Sequence, residues 1–434
     1  MMSGARFDDV RMRGFLHRPE VDAVLALLEA RTAALPGEPV PLSDAAGRVL
    51  AQAVTSNVDV PSFARAAMDG YAVRAADTAN ATPTAPRALT LIGESLPARP
   101  FLGEVQSGQA VRIMTGAAVP LGVDAVLMAE FADLETDDRV VARAPVAPGK
   151  HIIRVAEDVA RGSVVLPAGR RLRPQDVGLL ASIGTAAVTA VRRPRVAILV
   201  TGAEILPPGA VPDRFKIVDS NSPMLAALAA RDGATLLPVR YVPDDYATIR
   251  DAIGAAAQHA DVILCSGGTS VGTEDHAPRA AAELGDLAVH GVALRPAGPL
   301  GVAFLPVPGT RTDASEPPTT ARPPVVVFLM PGNPVSCLCA YDLFAGRVVR
   351  RLGGGSWELP YRTRILPLAR DVPSTAGRVD YVRVKIEGNE VVPLGTGGAS
   401  NLSTAVAADG FVLVPAALDH LTQGENVTVW LYDA

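Results

Sequence analysis

Three separate stretches of the chain run from an apolar strand pattern straight into a loop of small residues that then opens a helix. The strand patterns cover residues 195–200, 261–265 and 325–330, and the loops begin at Thr201, Ser266 and Pro331. Continuous Val, Ile and Leu runs are typical of strands buried in a parallel sheet. Because ligands of open α/β sheets bind beyond the carboxyl ends of such strands, we expect the three loops to line one crevice.

The composition of these loops favours a negatively charged ligand, since glycine-rich turns and helix N-termini present backbone N–H groups to anions. The second loop reads Ser-Gly-Gly-Thr-Ser-Val-Gly, and the third reads Pro-Gly-Asn-Pro-Val-Ser. In the third loop Asn333 can cap the helix and Pro334 suits its first position. Ser336 then leaves a hydroxyl and free N–H groups in the first turn. We therefore expect a phosphorylated or oxyanionic ligand.

The remaining pattern predicts a multi-domain α/β plus β protein. A length of 434 residues suggests about three domains. Residues 19–34 form an amphipathic helix pattern, and short strands separated by turns continue to about residue 193. From residue 194 strands and helices alternate, which predicts a central doubly wound domain with a parallel sheet. Short β runs over residues 356–434 predict a small C-terminal β-barrel.

Several individual elements follow from local signals. The α/β region is expected to contain a helix capped by Asn221 with Pro223 at its first position, a strand over 235–242, a helix over 246–258 after the N-cap signal Asp244-Asp245, and a helix over 335–351. Residues 307–324 are too polar and proline-rich to pack, and are expected to form a disordered hairpin insertion.

Charge and composition exclude several classes of function. The formal net charge of -5 gives no field that would attract a polyanion, so no nucleic-acid partner is expected. The first residues carry acids where a secretion signal needs an apolar core, and no run of apolar residues is long enough to span a membrane. We expect a cytoplasmic protein without membrane association.

Cys265, Cys337 and Cys339 lack Cys-x-x-Cys spacing, which favours structural burial.

Carboxylates beyond the strands point to a cation. Glu204 and Asp275 each follow one of the loops at the expected crevice. Two carboxylates that face a phosphate-bearing ligand repel it unless a hard cation lies between them, so Mg²⁺ is expected. Elsewhere two interpretations stay open: Asp69 beside a glycine is typical of a turn as well as of a site, and Thr115 is either a turn residue or a phosphate donor.

Arg295 and Arg383 are candidates for holding an oxyanion, although an exposed arginine is more often only a solvated charge. The pair Glu157-Asp158 is likewise compatible with a solvated loop.

Six motifs in a fixed order resemble those of the MoeA family, the molybdopterin molybdenumtransferases, which are related to the E domain of gephyrin and its plant counterpart. They are Ala-Met-Asp-Gly-Tyr-Ala from Ala67, Ile-Met-Thr-Gly-Ala-Ala-Val-Pro from Ile113, Glu157-Asp158-Val159, Thr-Gly-Ala-Glu from Thr201, and the two loops from Ser266 and Pro331. The resemblance implies an elongated homodimer of four-domain subunits. These domains would be an α/β molybdopterin-binding domain (1–37 and 194–354), a β-rich linking domain (38–53 and 147–193), an inserted β-rich domain (54–146) and a C-terminal β-barrel (355–434).

The same resemblance implies Mg²⁺-dependent insertion of molybdate into adenylylated molybdopterin, with release of AMP. It implies catalytic roles for Asp69, Asp158, Glu204 and Asp275, the metal being held by Asp69, Glu204 and Asp275. Substrate-binding roles would fall to Thr115, Gly267, Gly268, Ser270 and Asn333 around the nucleotide and pterin, and to Ser336, Arg295, Arg383 and Ser400 near the oxyanion. The upstream molybdopterin adenylyltransferase is a further candidate partner.

The chain departs from the family pattern where the family usually has Lys-Pro-Gly-Lys-Pro. Here the sequence is Arg295-Pro-Ala-Gly-Pro, so that Arg295 replaces one lysine and Gly298 the other. A charge-assisted hydrogen bond contributes about 1.5–3 kcal/mol, so an uncompensated loss would weaken oxyanion binding roughly tenfold or more. Two further hypotheses follow: a weakened or tungstate-preferring paralogue that binds pterin nucleotide, and a non-enzymatic scaffold. The sequence leaves molybdate and tungstate open.

Overall fold

The computed structural model describes residue 15 and residues 18–212, 215–268, 275–306, 323–394 and 398–432. The chain divides into two compact units. The larger comprises Met1–Glu38 and Ala190–Ala434, and the smaller comprises Pro39–Thr189. Within the described ranges no helix combines the length and the apolar character needed to cross a membrane.

The smaller unit is rich in β-structure, as the sequence predicts. Helix α1 (Val21–Arg31) precedes it, and strand β1 (Gly37–Pro41) spans its first residues. Its strands are β2 (Val54–Thr55), β3 (Arg65–Ala66), β4 (Gly70–Val73), β5 (Arg87–Ser95), β6 (Gln109–Ile113), β7 (Ala125–Met128), β8 (Ala132–Thr136), β9 (Arg139–Ala142), β10 (Ile152–Ile153) and β11 (Val164–Leu166), followed by helix α2 (Pro174–Ser182) and strand β12 (Ala187–Val191). Six strands form one sheet in the order β7-β4-β6-β5-β9-β8, and β3 pairs separately with β10.

The larger unit contains the expected α/β region. Its elements are β13 (Arg195–Thr201), β14 (Ile205–Leu206), β15 (Ile217–Val218), α3 (Asn221–Arg231), β16 (Thr235–Leu236), β17 (Arg240–Val242), α4 (Tyr246–Ala257), β18 (Val262–Ser266), α5 (Ala277–Leu284), β19 (Asp286–His290), β20 (Leu294–Arg295), β21 (Gly301–Leu305), β22 (Val325–Met330), α6 (Pro334–Ala340) and α7 (Gly346–Leu352). The central sheet runs β16-β13-β18-β22-β21-β19, with β17 also paired to β13. Helices α4 and α5 pack on one face through an apolar cluster, whereas α3 and α6 contact β13 and β22 without contributing to that cluster.

The central sheet is mixed, although the sequence predicts a parallel one. Strands β13, β18 and β22 are parallel, but β21 and β19 are antiparallel additions at one side. Leu305 pairs with Val325, so β21 and β22 flank the proline-rich insertion as the two arms of a hairpin. Residues 307–322 of that insertion lie outside the described residues.

Three local predictions are corrected. The loop at Glu204 leads into β14 and not into a helix. Two short strands, β16 and β17, replace the single strand over 235–242, because Pro238 between them has no N–H to donate. The helix over 335–351 consists of α6 and α7 joined by a π-helical turn at Tyr341–Ala345. By contrast, Asp245 caps α4 as predicted, its carboxylate accepting from the Thr248 N–H at 2.9 Å.

The C-terminal part of the larger unit forms a second sheet. Its elements are β23 (Arg362–Pro367), β24 (Val372–Pro373), β25 (Val379–Glu387), β26 (Glu390–Pro393), α8 (Leu402–Val406), β27 (Gly410–Val414), β28 (His420–Leu421) and β29 (Asn426–Leu431). The sheet order is β20-β25-β27-β29-β23, with β26 paired to β25. Strand β20 therefore leaves the α/β region and joins this sheet, which places Leu294 opposite Val379 and Arg295 opposite Asp380.

A buried ionic group ties the α/β region to this second sheet. Asp342 is fully buried and accepts hydrogen bonds from the hydroxyls of Tyr361 at 2.6 Å and Tyr381 at 3.1 Å. Arg231 lies 3.5 Å from the same carboxylate. Burial raises the pKa of Asp342, and these partners oppose that rise.

The predicted burial of the cysteines is confirmed, since Cys265, Cys337 and Cys339 are all buried and free. Burial raises the pKa of the Cys265 thiol to about 12, which leaves it protonated at neutral pH.

Asp219, and not Asn221, caps helix α3. Asn221 is the first residue of the helix, and the Asp219 carboxylate accepts from the backbone N–H groups of Asn221 at 2.9 Å and Ser222 at 3.0 Å. It also accepts from the hydroxyls of Ser222 and Tyr241. A carboxylate there satisfies N–H groups that the helix itself leaves without partners.

We expect Asp219→Ala to lower the free energy of unfolding by about 1–3 kcal/mol, because four donors lose a buried acceptor. Urea denaturation followed by circular dichroism measures the change. Asp219→Asn, which keeps one acceptor oxygen, should lose less. An unaltered denaturation curve for the alanine variant would contradict the assigned cap.

Candidate functional site

A cleft of about 350 Å³ lies where three segments of the larger unit meet. One wall is the turn over residues 294–299. A second wall is the loop over 331–333 together with Ser336 of α6, and Arg18, Arg378 and Ala399 complete the lining. The third of the strand-loop stretches therefore opens into this cleft.

The cleft is positively charged. Arg295 contacts the Asp380 carboxylate at 2.7 Å, and Nε of Arg378 donates to the other oxygen of that carboxylate at 3.0 Å. Asp380 is only 1% exposed, so it lies behind the two guanidinium groups and not in the cleft. Among the described lining residues there is no Asp or Glu. One carboxylate thus orients two arginines whose summed charge exceeds its own, which favours an anion in the cleft.

The start of α6 forms the opposite wall. Asn333 occupies the N-cap position and Pro334 the first helical position, as the sequence predicts. The Asn333 side chain does not cap the helix; its Oδ1 accepts from the hydroxyl of Ser400 at 2.8 Å. Ser336 is 4% exposed and lines the cleft from the first turn. Its hydroxyl is therefore positioned to donate to a small oxyanion.

Arg383 does not line this cleft. Its side chain is 3% exposed, and its Nη1 lies 3.5 Å from the Gly398 carbonyl oxygen. Arg378 lines the cleft instead, and sequence reasoning missed it. Side chains alternate along a strand, so Arg378 and Asp380 share one face whereas Arg383 belongs to the other. Arg378 and Asp380 are two residues apart, and this spacing is the signal in the sequence that could have identified Arg378.

The contacts confirm that the three predicted loops lie side by side. Nδ2 of Asn221 donates to the Ser266 hydroxyl at 3.0 Å and to the Gly332 carbonyl at 2.8 Å, which joins the second loop to the third. A Cβ atom added to Gly267 would lie 2.2 Å from the carbonyl oxygen of Thr201, so the second loop also touches the first. Ser270 lies outside the described residues.

Two polar atoms at this meeting point are buried without a hydrogen-bond partner among the described residues. They are the hydroxyl of Thr201 and Oδ1 of Asn221. Gly268 is adjacent, since its added Cβ would lie 3.0 Å from that hydroxyl. Gly267 and Gly268 have φ angles of +96° and +60°, a backbone geometry that turns consecutive N–H groups towards a common point.

The predicted acids divide between the two units. Glu204 is exposed after β13, and Asp275 is half-buried just before α5, both in the larger unit. Asp69 and Asp158 belong to the smaller unit and are exposed. The backbone N–H of Asp158 donates to the Val60 carbonyl at 3.0 Å.

Asp69 and Thr115 are in direct contact. Oδ1 of Asp69 accepts from the Thr115 backbone N–H at 2.6 Å and from its hydroxyl at 2.7 Å. These two bonds hold the pKa of Asp69 below its usual range, so the carboxylate is charged at neutral pH. A hydroxyl has one proton, and here that proton goes to Asp69. Thr115 therefore supports the carboxylate in this arrangement, and its role as a phosphate donor stays a prediction.

Within the described ranges no group of three or more His, Cys, Asp or Glu side chains is placed to hold a metal ion. The four predicted acids offer oxygen donors only, which is the chemistry that Mg²⁺ prefers. The charged Asp69 carboxylate, with Oδ2 free of hydrogen bonds to described residues, fits such a role. The metal site itself stays a prediction.

Matches to three family models cover most of the chain. They are the MoeA N-terminal region (domain I and II) over residues 19–184, the probable molybdopterin binding domain over 197–351, and the MoeA C-terminal region (domain IV) over 366–432. The chain belongs to the MoeA family. Membership makes it an enzyme, a transferase of molybdenum cofactor biosynthesis.

Individual relatives agree with the family models. The chain is 35% identical to molybdopterin molybdenumtransferase 2 of Mycobacterium tuberculosis, over 90% of this chain and 94% of that protein. It is 31% identical to the molybdopterin molybdenumtransferase of Haemophilus influenzae, over 94% and 98% of the two chains. A solved structure of the molybdopterin biosynthesis MoeA protein from Pyrococcus horikoshii is similar with a TM-score of 0.80 and 29% identity, covering 96% of this chain and 100% of that one.

For this MoeA-family protein we expect Thr115→Val to raise the pKa of Asp69 towards its ordinary value, because the carboxylate loses its hydroxyl donor and keeps only the backbone bond. Carbon-13 NMR of the Asp69 carboxyl group during a pH titration measures the shift. Thr115→Ser, which retains the hydroxyl, is the control and should titrate like the native protein. Identical titration of the valine variant would show that the hydroxyl bond does not form.

We expect Gly267→Ala to lower the free energy of unfolding by about 2 kcal/mol or more, since an L-residue at this positive φ is strained and its Cβ would collide with Thr201. Gly332→Ala is the matched control, because a Cβ there meets open space. Thermal unfolding of both variants measures the difference. Equal melting temperatures would contradict the close approach of the first two loops.

Proposed function

We propose that this MoeA-family enzyme inserts molybdate into adenylylated molybdopterin, with release of AMP and with Mg²⁺ as the required cation. The observation that carries the proposal is the cationic cleft, in which Arg295 and Arg378 flank one buried carboxylate opposite the Ser336 hydroxyl. A tetrahedral metal oxyanion carries a double negative charge and four acceptor oxygens. Guanidinium forks and a hydroxyl are suitable donors for such a group.

The crevice beside the cleft supports binding of the larger substrate. The N–H groups at Gly267 and Gly268, together with the buried Thr201 hydroxyl and Asn221 carbonyl oxygen, offer both donors and an acceptor where three strand ends meet. Gly332 belongs to the crevice through Asn221 and also lines the oxyanion cleft. We infer that the pterin and phosphate groups occupy the crevice.

The family resemblance implies that Asp69, Glu204 and Asp275 hold Mg²⁺ and that Asp158 assists cleavage of the phosphate anhydride. When bound, the cation would neutralise charge on the anhydride as AMP leaves. The chain's own contribution includes keeping Asp69 ionised, because the Thr115 bonds lower the pKa of that carboxyl. Activity that depends on Asp69 should accordingly persist as the pH falls towards the ordinary aspartate pKa, and be lost only below it.

We further propose that the enzyme works in the cytoplasm as a homodimer and receives its substrate from the upstream molybdopterin adenylyltransferase. These assignments follow from the family resemblance. Light scattering after size-exclusion chromatography tests the dimer, and a purely monomeric protein would contradict it.

Purified protein incubated with adenylylated molybdopterin, molybdate and Mg²⁺ should release AMP, measured by chromatography. Omission of either molybdate or Mg²⁺ should abolish release above background. Asp69→Asn should lower the rate by at least about tenfold, because a neutral amide stabilises a cation poorly. Absence of AMP under conditions in which an established homologue is active would overturn the proposed reaction.

Arg295→Ala should raise KM for molybdate by about tenfold or more, through loss of a charge-assisted hydrogen bond and of the ion pair with Asp380. Arg295→Lys retains the charge without the planar fork and should show a smaller increase. Arg364→Ala, an exposed site on β23 outside the cleft, is the control. A KM unchanged in the Arg295→Ala variant would remove this residue from the oxyanion site.

A further inference from the structure

Arg18 lies in the cleft although it is far from the other lining residues in sequence. The segment before α1 is fixed by a backbone hydrogen bond from Ala293 N–H to the Pro19 carbonyl oxygen, at 2.9 Å. This bond holds Arg18 beside the turn over residues 294–299, and Arg18 is one of the residues that line the cleft. The guanidinium group also lies 5.1 Å from the ring centre of Phe15, within the range of a cation–π contact.

Unlike the other two arginines of the cleft, Arg18 forms no ion pair with a carboxylate in the described part of the chain. Arg295 and Arg378 share Asp380, so these three residues together carry a single positive charge. Arg18 adds a second charge that no described acid offsets. A doubly charged oxyanion in this cleft would therefore be neutralised only with the contribution of Arg18.

Arg18 lies beside Gly298, the residue of the turn that has no side chain. A Cβ atom added to Gly298 would lie 3.7 Å from Nη1 of Arg18 and 3.5 Å from the carbonyl oxygen of Leu294, which are ordinary contacts. A side chain at residue 298 would thus start next to the Arg18 guanidinium. We propose that Arg18 binds the metal oxyanion in this cleft, supplying from the N-terminal segment the cation that Gly298 cannot supply from the turn.

The proposal rests on the proposed function for the identity of the oxyanion, but its test does not require turnover. Binding of molybdate alone, and of tungstate alone, is measured by isothermal titration calorimetry on the full chain. Arg18→Ala should weaken molybdate binding about threefold to tenfold, the smaller value applying if solvent screens the exposed guanidinium. Arg18→Lys should retain most of the affinity, and Arg364→Ala should bind like the native protein.

A second variant separates charge from structure. A Cβ atom at residue 298 makes only ordinary contacts, and the Arg18→Ala change removes the guanidinium beside it. R18A/G298K should therefore recover affinity to within about twofold of the native protein, whereas R18A/G298A should not recover it. A loss of affinity caused only by the Phe15 contact or by the fold would not be repaired by a lysine on a different segment. Melting temperatures of the variants are compared to exclude unfolding.

The outcomes are distinct from those of the AMP assay. Native affinity in the Arg18→Ala variant, or failure of R18A/G298K to bind better than R18A/G298A, would overturn the role of Arg18. So would absence of oxyanion binding by the native chain. Weakened binding in Arg18→Ala with rescue by lysine supports the role even if no AMP is released, in which case only the proposed reaction fails.

Discussion

The pairing of β20 with β25 is the constraint on which the cationic cleft depends. Two residues of the α/β region, Leu294 and Arg295, are drawn into the C-terminal sheet, and this register puts Arg295 opposite Asp380. A carboxylate that is 1% exposed must be paired, because an isolated buried charge is strongly unfavourable. Arg295 and Arg378 satisfy that requirement and are held in place by it. The contact between Arg295 and Asp380 thus joins the two parts of the unit and also holds a guanidinium group at the cleft.

The buried group around Asp342 is a second contact between the α/β region and the C-terminal sheet. The Tyr361 and Tyr381 hydroxyls come from the C-terminal part, and Arg231 comes from α3 in the α/β region. Tyr381 is adjacent to Asp380 on β25, so the strand is fixed through neighbouring residues that face opposite sides. Because polar groups buried together must satisfy one another, the arrangement of α3, the π-helical turn and β25 is restricted to few geometries.

Local signals in the sequence predict a large part of the fold and part of the candidate site. The apolar strands, the capping by Asp245 and the Asn333-Pro334 start of α6 each depend on residues close in sequence, and the structure agrees with them. The capping role of Asp219 was missed because one of its partners is Tyr241, and helix α3 and strand β16 lie between the two residues in the sequence. The antiparallel β21 and β19 were missed because apolar runs do not record strand direction.

The cationic cleft shows the same limit, since Arg18, Arg295 and Arg378 come from three distant segments. The spacing of Arg378 and Asp380 is visible in the sequence, but the sequence does not show that Asp380 pairs with Arg295 on the neighbouring strand. The replacement of a family lysine by Gly298 suggests a weakened site when the turn is considered alone. Arg18 alters that interpretation, because the charge of a cleft is set by all the segments that enclose it.

The attachment of the Pro19 carbonyl to Ala293 has a practical consequence for dissecting the molecule. The match to the family's N-terminal region starts at residue 19, one position after Arg18. A protein trimmed to that boundary would retain the helices and strands that the structure describes yet carry one fewer cation at the cleft. Well-folded truncated material could then be mistaken for an intrinsically poor catalyst.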